Sequence, residues 1–169
     1  MQAFNSSIVD FKADVIVNAA NGQGILGSGV AGAIKKAAGP SFAREVRNFC
    51  VEVGGFEEGD CYISSAGDLG NTKAVYHVVT MKFPGGRTNL NIVEKGMRRA
   101  LSLAIMDNVK SIAFPGLGTG TGGLDIDSTA RLMVSVANDY KDKVNISFVD
   151  IDADFIQQVQ KEMEICNNG

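Results

Sequence analysis

Two glycine runs carry the chemistry-bearing part of this 169-residue sequence. The first reads Asn18-Ala19-Ala20-Asn21-Gly22-Gln23-Gly24-Ile25-Leu26-Gly27-Ser28-Gly29-Val30-Ala31-Gly32, and the second Pro115-Gly116-Leu117-Gly118-Thr119-Gly120-Thr121-Gly122-Gly123. Each follows a short apolar run and precedes a helical pattern, and neither contains Lys or Arg. Glycines let successive backbone N–H groups face one concavity, and a helix N-terminus behind them adds partial positive charge. Such a loop suits an anion. Two of them on neighbouring strands can hold a diphosphate between them without a lysine. The competing reading of either run is a tight turn that serves packing alone.

The side chains around these runs narrow the chemistry. The amide of Asn21 offers a sugar hydroxyl both a donor and an acceptor. Asn18 ends a strand pattern, where it can touch a ligand or close an Asx-turn on its own loop. Thr119 and Thr121 can bond a phosphate or cap the next helix. No GxxxxGK[ST] pattern follows either run, which excludes a Walker-A loop. Gly22-Gln23-Gly24-Ile25-Leu26-Gly27 matches GxGxxG, but a further Gly-Ser-Gly delays the helix. No acidic residue stands at the end of a second strand about 20 positions on to hold a ribose, so a dinucleotide oxidoreductase is disfavoured. The single histidine, His77, rules out a multi-histidine metal centre and reads as a core residue within an apolar strand. Cys50, Cys61 and Cys166 are odd in number and form no CxxC, so neither a disulfide framework nor a zinc site is expected, and a reducing compartment is. Asp125, just past the second run, is a helix cap or a working carboxylate. Asp60, Asp68, Arg87, Arg98 and Arg99 read as solvated, and Phe83 as a loop anchor or a stacking ring.

These residues need a scaffold, and the intervening sequence supplies one. Strands are expected at 14–18, 61–64, 74–79, 111–114 and 144–149, all rich in β-branched or aromatic residues. Helices are expected at 30–38, 41–53, 91–106, 126–140 and 154–165, the first ended by Gly39-Pro40. Asp125 or Asp127 is placed to cap the fourth. Alternating strands and helices predict an α/β fold with a mostly parallel sheet covered on both faces. The 61–79 stretch has no helix between its two strands, so one antiparallel pairing is expected. Asn167-Asn168-Gly169 reads as a frayed tail.

Composition sets the outer bounds. Apolar residues are 45% and charged residues 21%, as in ordinary globular chains, so disorder is excluded. One domain over residues 1–169 is expected, hiding roughly 70% of the surface its unfolded chain exposes. Glycine is the outlier, 20 residues against a typical ~7%. The net charge of −3 argues against a surface built for DNA. No stretch is long and apolar enough for a membrane span, and no signal pattern opens the chain, so a cytoplasmic protein is expected.

Val15-Ile16-Val17-Asn18-Ala19-Ala20-Asn21, then Gly27-Ser28-Gly29-Val30-Ala31-Gly32-Ala33-Ile34 and Ala37-Ala38-Gly39, resembles the signature of the macro domain family. Tyr76-His77-Val78-Val79 and Ile112-Ala113-Phe114-Pro115 through Gly123 match its next blocks, so the resemblance spans roughly residues 5 to 150. It implies a three-layer α/β/α sandwich with a mixed, mostly parallel sheet, and ADP-ribose or a derivative, free or protein-linked, as the ligand. It implies that Gly27, Ser28, Gly29, Val30 and Ala31 hold the diphosphate from one side. Pro115, Gly116, Gly118, Thr119, Gly120, Thr121 and Gly122 would hold it from the other. Asn21, with Asn18 at the base of its loop, would lie beside the distal ribose. Ser7 and Ile8 occupy the adenine end, where many members carry an Asp in place of Ser7. Hydrolytic members commonly carry an Asp at the place of Ala31, though some that read GVAG as here hydrolyse without it. Members commonly carry an aromatic residue at the place of Gly122, whose absence implies a more open or flexible mouth here. The alternative the resemblance leaves open is a hydrolase of ADP-ribosyl esters, O-acetyl-ADP-ribose or ADP-ribose 1″-phosphate, with Asn21 orienting ribose or water. Neither reading calls for a metal or a cofactor.

Overall fold

Buried β-branched runs pair into a single six-stranded sheet in the computed structural model, which describes residues 1–169. The strands are β1 (Gln2–Asn5), β2 (Val15–Asn21), β3 (Cys61–Ser65), β4 (Ala74–Met81), β5 (Ser111–Phe114) and β6 (Asn145–Asp150). Their order is β1-β6-β5-β2-β4-β3, every pairing parallel except β3 with β4. The helices are α1 (Gly29–Ala38), α2 (Pro40–Val53), α3 (Leu90–Met106), α4 (Ile126–Tyr140) and α5 (Ala153–Asn168), with a 3-10 turn at Ile8–Asp10.

Successive side chains of a strand point to opposite faces, and here each face has its own core. Val15 and Val17 of β2, with Tyr76 and Val78 of β4, meet Val93, Met97 and Leu101 of α3, Met133 of α4 and Phe155 of α5. Ile16 and Ala20, with Val75 and Val79, meet Ile34 of α1 and Phe42 and Val46 of α2. The result is the expected three-layer sandwich, α3, α4 and α5 on one side and α1 and α2 on the other. Gly39, at φ 91°, separates α1 from α2, and Pro40 opens α2 at a position where its missing N–H costs nothing.

Three local expectations are corrected. β1 lies outside the expected strands, because four mostly exposed residues at a sheet edge, QAFN, carry no β-branched pattern. β2 runs three residues past Asn18 and ends at Asn21, since its pairing with β4 continues to Met81 through a register shift. The tail is not frayed: α5 continues through Asn168, its hydrogen-bond ladder carrying the polar residues along.

Parallel strands place their carboxyl ends along one edge of a sheet, where connecting loops leave room for a ligand. β2 and β5 are neighbours, so the two glycine runs that follow them leave the same edge side by side. β6 lies next to β5, and its end joins them.

Candidate functional site

A cleft of about 330 Å³ opens at that edge. The first run supplies one wall through Ser28, Gly29, Val30 and Ala31, and the second supplies another through Gly116, Gly118, Thr119, Gly120, Thr121 and Gly122. Ser7 and Ile8 close one end, against Val149, Asp150, Ile151 and Asp152 from the end of β6. Ala19, Thr80 and Met81 form the floor, with Ala33 behind α1's first turn. Thr80 is tied to β2 through its hydroxyl, which donates to the Ala20 carbonyl at 3.2 Å.

The walls are rich in unused donors. An α-helix leaves its first N–H groups without intrahelical partners. In α3 the Asn89 side chain accepts from Ile92 N–H at 2.9 Å, and in α4 Asp125 accepts from Ser128 N–H at 2.9 Å. α1 has no such cap: the Ser28 side chain accepts nothing, and the N–H groups of Gly29, Val30 and Ala31 meet no protein acceptor. The second loop repeats the pattern. It is closed by Leu124 N–H to the Gly118 carbonyl at 2.9 Å and Gly123 N–H to the Gly120 carbonyl at 3.1 Å. Between these closures the N–H groups of Gly118, Thr119, Gly120, Thr121 and Gly122 meet no acceptor in the protein. Gly118 sits at φ 83°, and a Cβ there would stand 2.7 Å from the Thr88 methyl and 2.8 Å from Leu124 Cδ1. Only glycine makes this turn without strain. Preorganised amides from two sides, with no charged side chain among them, are an anion cradle.

Neither asparagine lines the cleft. Asn21, expected at the ligand, is the Asx-turn residue: its Oδ1 accepts from Gln23 N–H at 3.0 Å and Ile25 N–H at 3.3 Å, and its Nδ2 donates to the Ile25 carbonyl at 2.8 Å. Its amide shapes the first loop. Asn18 is fully buried, with Nδ2 donating to His77 Nδ1 at 3.1 Å and Oδ1 without a partner. An amide nitrogen can only donate, so Nδ1 is the acceptor and Nε2 carries the imidazole proton to Ser64 Oγ at 2.9 Å. Burial pushes the His77 pKa down to about 3, so the ring is neutral and is the core residue the sequence implied. Tyr62 stacks on it at 4.6 Å and donates its hydroxyl to the Asn21 carbonyl at 3.2 Å, fastening β3 to the root of the first loop.

Gly27 and Pro115 also stand outside the cleft lining, Gly27 on the exposed shoulder of the first loop and Pro115 buried beneath the second. Gly122 lines the cleft and leaves no room for a side chain of its own. It is buried, and a Cβ would meet the Gly118 carbonyl oxygen at 2.8 Å and the Thr88 methyl at 2.9 Å. The loop is folded tightly on itself at that point. Asp125 is the cap of α4, and Ser128 N–H holds its carboxyl below the usual carboxylate range. Burial pushes the Cys61 thiol up to about 12, which disfavours its thiolate.

Sequence reasoning passed over the end of β6. Asp150 and Asp152 are the ionisable side chains of the cleft, and both are occupied by backbone donors. The signal was present: residues 150–152 follow a predicted strand, as both glycine runs do, and an acid before a helical pattern is a cap. Thr80 and Met81 were missed because β4 runs two residues past its expected end.

The Macro domain family profile matches residues 17–133. A macro domain-containing protein of Caldanaerobacter subterraneus is 39% identical over 150 residues, covering 88% of this chain and 85% of that protein. An O-acetyl-ADP-ribose deacetylase of Salmonella newport is 34% identical over 141 residues, covering 83% of this chain and 78% of that one. Among solved structures, the Trypanosoma brucei macrodomain in complex with ADP-ribose superposes with a TM-score of 0.80 at 26% identity, covering 94% of this chain and 67% of that one. By profile, by sequence and by the order of its strands and loops, this chain belongs to the macro domain family.

Proposed function

We propose that this protein binds ADP-ribose, free, derivatised or attached to a protein, with its diphosphate between the two glycine loops. One observation carries the reading: eight backbone N–H groups, at residues 29–31 and 118–122, meet no acceptor in the protein and line or border one cleft. A diphosphate offers enough oxygens to use them, and no side chain there competes. The ADP-ribose complex of the Trypanosoma brucei macrodomain supports the same ligand for this cleft. In this reading Ser7 and Ile8 take the adenine end, the unit acting is the whole of residues 1–169, and it works in the cytoplasm on nucleotide or ADP-ribosylated protein rather than on membrane or DNA. Calorimetric titration with ADP-ribose, with AMP and NAD as controls, tests it. Saturable binding tighter for ADP-ribose than for AMP is the expected result, and no heat at millimolar ADP-ribose overturns it.

A second reading, hydrolysis of the O-acetyl ester of ADP-ribose, is favoured by the relatives named for that activity. The cleft constrains how it would run. Ala31 brings no carboxylate to the loop end, Asn21 is committed to its own turn, and the cleft's two acids stand at the β6 end. The loop amides would position the ligand and stabilise charge on it, while no side chain among them can take a proton. Turnover of O-acetyl-ADP-ribose by the unmodified protein, followed by release of acetate, separates an enzyme from a reader.

A further inference from the structure

We infer that Asp150 is the positioning residue of this cleft, a carboxylate that holds the second glycine loop in the shape that binds phosphate without itself touching the ligand. The inference rests on the ADP-ribose reading above. Asp150 is the last residue of β6 and lines the cleft. A free carboxylate there would repel a diphosphate, but this one is not free. Its Oδ2 accepts from Gly116 N–H at 2.8 Å and its Oδ1 from Asp152 N–H at 2.9 Å. Its backbone carbonyl accepts from Ser6 N–H at 3.1 Å and from the Asn5 side chain at 3.0 Å. One residue therefore joins the turn that leads to Ser7, the start of the second loop and the start of α5.

The bond to Gly116 has a direct consequence for the cradle. Gly116 stands two residues before Gly118, the first of the five cleft-lining residues whose N–H groups are unpartnered. The far end of that series is closed by backbone bonds from Gly123 and Leu124, so the loop fastens to itself on that side. On the near side its side-chain anchor is Asp150. Hydrogen bonds to an ionised acceptor are about twice as strong as neutral ones, which suits an anchor at a flexible glycine. With the anchor gone, the five free amides lose their common direction, and ordering them again opposes binding. Capping of α5 is a separate task, performed by Asp152 through Asp154 N–H at 3.0 Å and Phe155 N–H at 3.4 Å.

The test compares ADP-ribose with AMP on the full chain, as the unmodified protein and as Asp150→Ala and Asp150→Asn. Asp150→Ala is expected to weaken ADP-ribose on the order of tenfold or more while AMP changes by less than about threefold. Asp150→Asn keeps one acceptor oxygen but turns an NH2 toward the other amide, and is expected to fall between. Hydrogen exchange followed by NMR should show the Gly116 amide losing protection in Asp150→Ala while the amide of Val78, deep in β4, does not. Equal losses for both ligands, or no loss, overturn the inference. If Asp150→Ala does not fold, the same pair of ligands on Asp150→Asn decides it. If the unmodified protein binds no ADP-ribose, the reading above fails on its own, and the exchange of Gly116 still reports whether the anchor exists.

Discussion

Helices α1 and α5 both begin at the cleft, and they treat the same electrostatic feature in opposite ways. Each N-terminus carries partial positive charge from its unpaired N–H groups. In α5 the carboxylate of Asp152 covers those groups, and Asp150 beside it takes two more donors. In α1 Ser28 leaves them bare, and the second glycine loop faces the same cleft with five more bare amides. One end of the cleft has supplied its own anions; the other waits for one. In the proposed reading, this difference assigns the ligand's phosphates to the loop end. It also explains how a chain of net charge −3, with no Lys or Arg in either loop, is suited to a polyanion: the attraction comes from fixed dipoles at short range.

The comparison is broken most completely by giving α1 what α5 already has. Ser28→Asp places a carboxylate over the first turn, so ADP-ribose affinity should fall at least about 100-fold, near 2.7 kcal/mol. Helix stability should hold or rise, by up to about 1 kcal/mol. Calorimetry and thermal unfolding on the same sample check both signs. A variant that still binds would mean the phosphates do not sit at α1.

Binding and folding should also separate with pH, because His77 lies in the core and not in the cleft. Its folded pKa of about 3 lies below the ordinary 6.5, so between these values the unfolded chain takes up the proton and the native one does not. The His77 contribution is fully present above pH 6.5 and is lost as pH falls toward 3, by about 1.4 kcal/mol per unit, or ~2 kcal/mol at pH 5. Urea unfolding at pH 7, 6 and 5 should show this slope, and His77→Gln should flatten it.

Asn21→Ala sharpens the contrast between shaping a loop and touching a ligand. It removes the two backbone donors' acceptor and the bond to Ile25, so ADP-ribose affinity should drop about tenfold with a stability loss near 1 kcal/mol. A residue acting only on the ligand would leave stability unchanged. The smallest effect is expected at the capped end: Asp152→Ala should cost about 1 kcal/mol of stability, as loss of a helix cap does, with ADP-ribose affinity within about threefold. A large affinity loss there would place a ligand group on the Asp152 carboxylate and redraw the division of the cleft.

Much of this arrangement was written locally. The period of the apolar residues locates the five helices and five of the six strands, and the glycine runs mark both loops. The resemblance to macro domains suggested a ligand and named most of the residues that line the cleft. What stayed hidden was the fate of individual polar groups. Asn18 and Asn21 are the same residue type three positions apart, yet one is locked to His77, 59 residues away, and the other to its own turn. Gly122 reads as freedom in sequence and is packed against Thr88 in space.

Secondary structure, glycine turns and the exclusion of lysine-based phosphate binding followed from the order of residues alone, because backbone preference and side-chain period act over a few neighbours. Which amides remain free was decided only when β6 came to lie beside β5, bringing Asp150 to Gly116 across 34 residues. A hydrogen bond needs its partners within about 3 Å, and that proximity is set by strand order in the folded sheet.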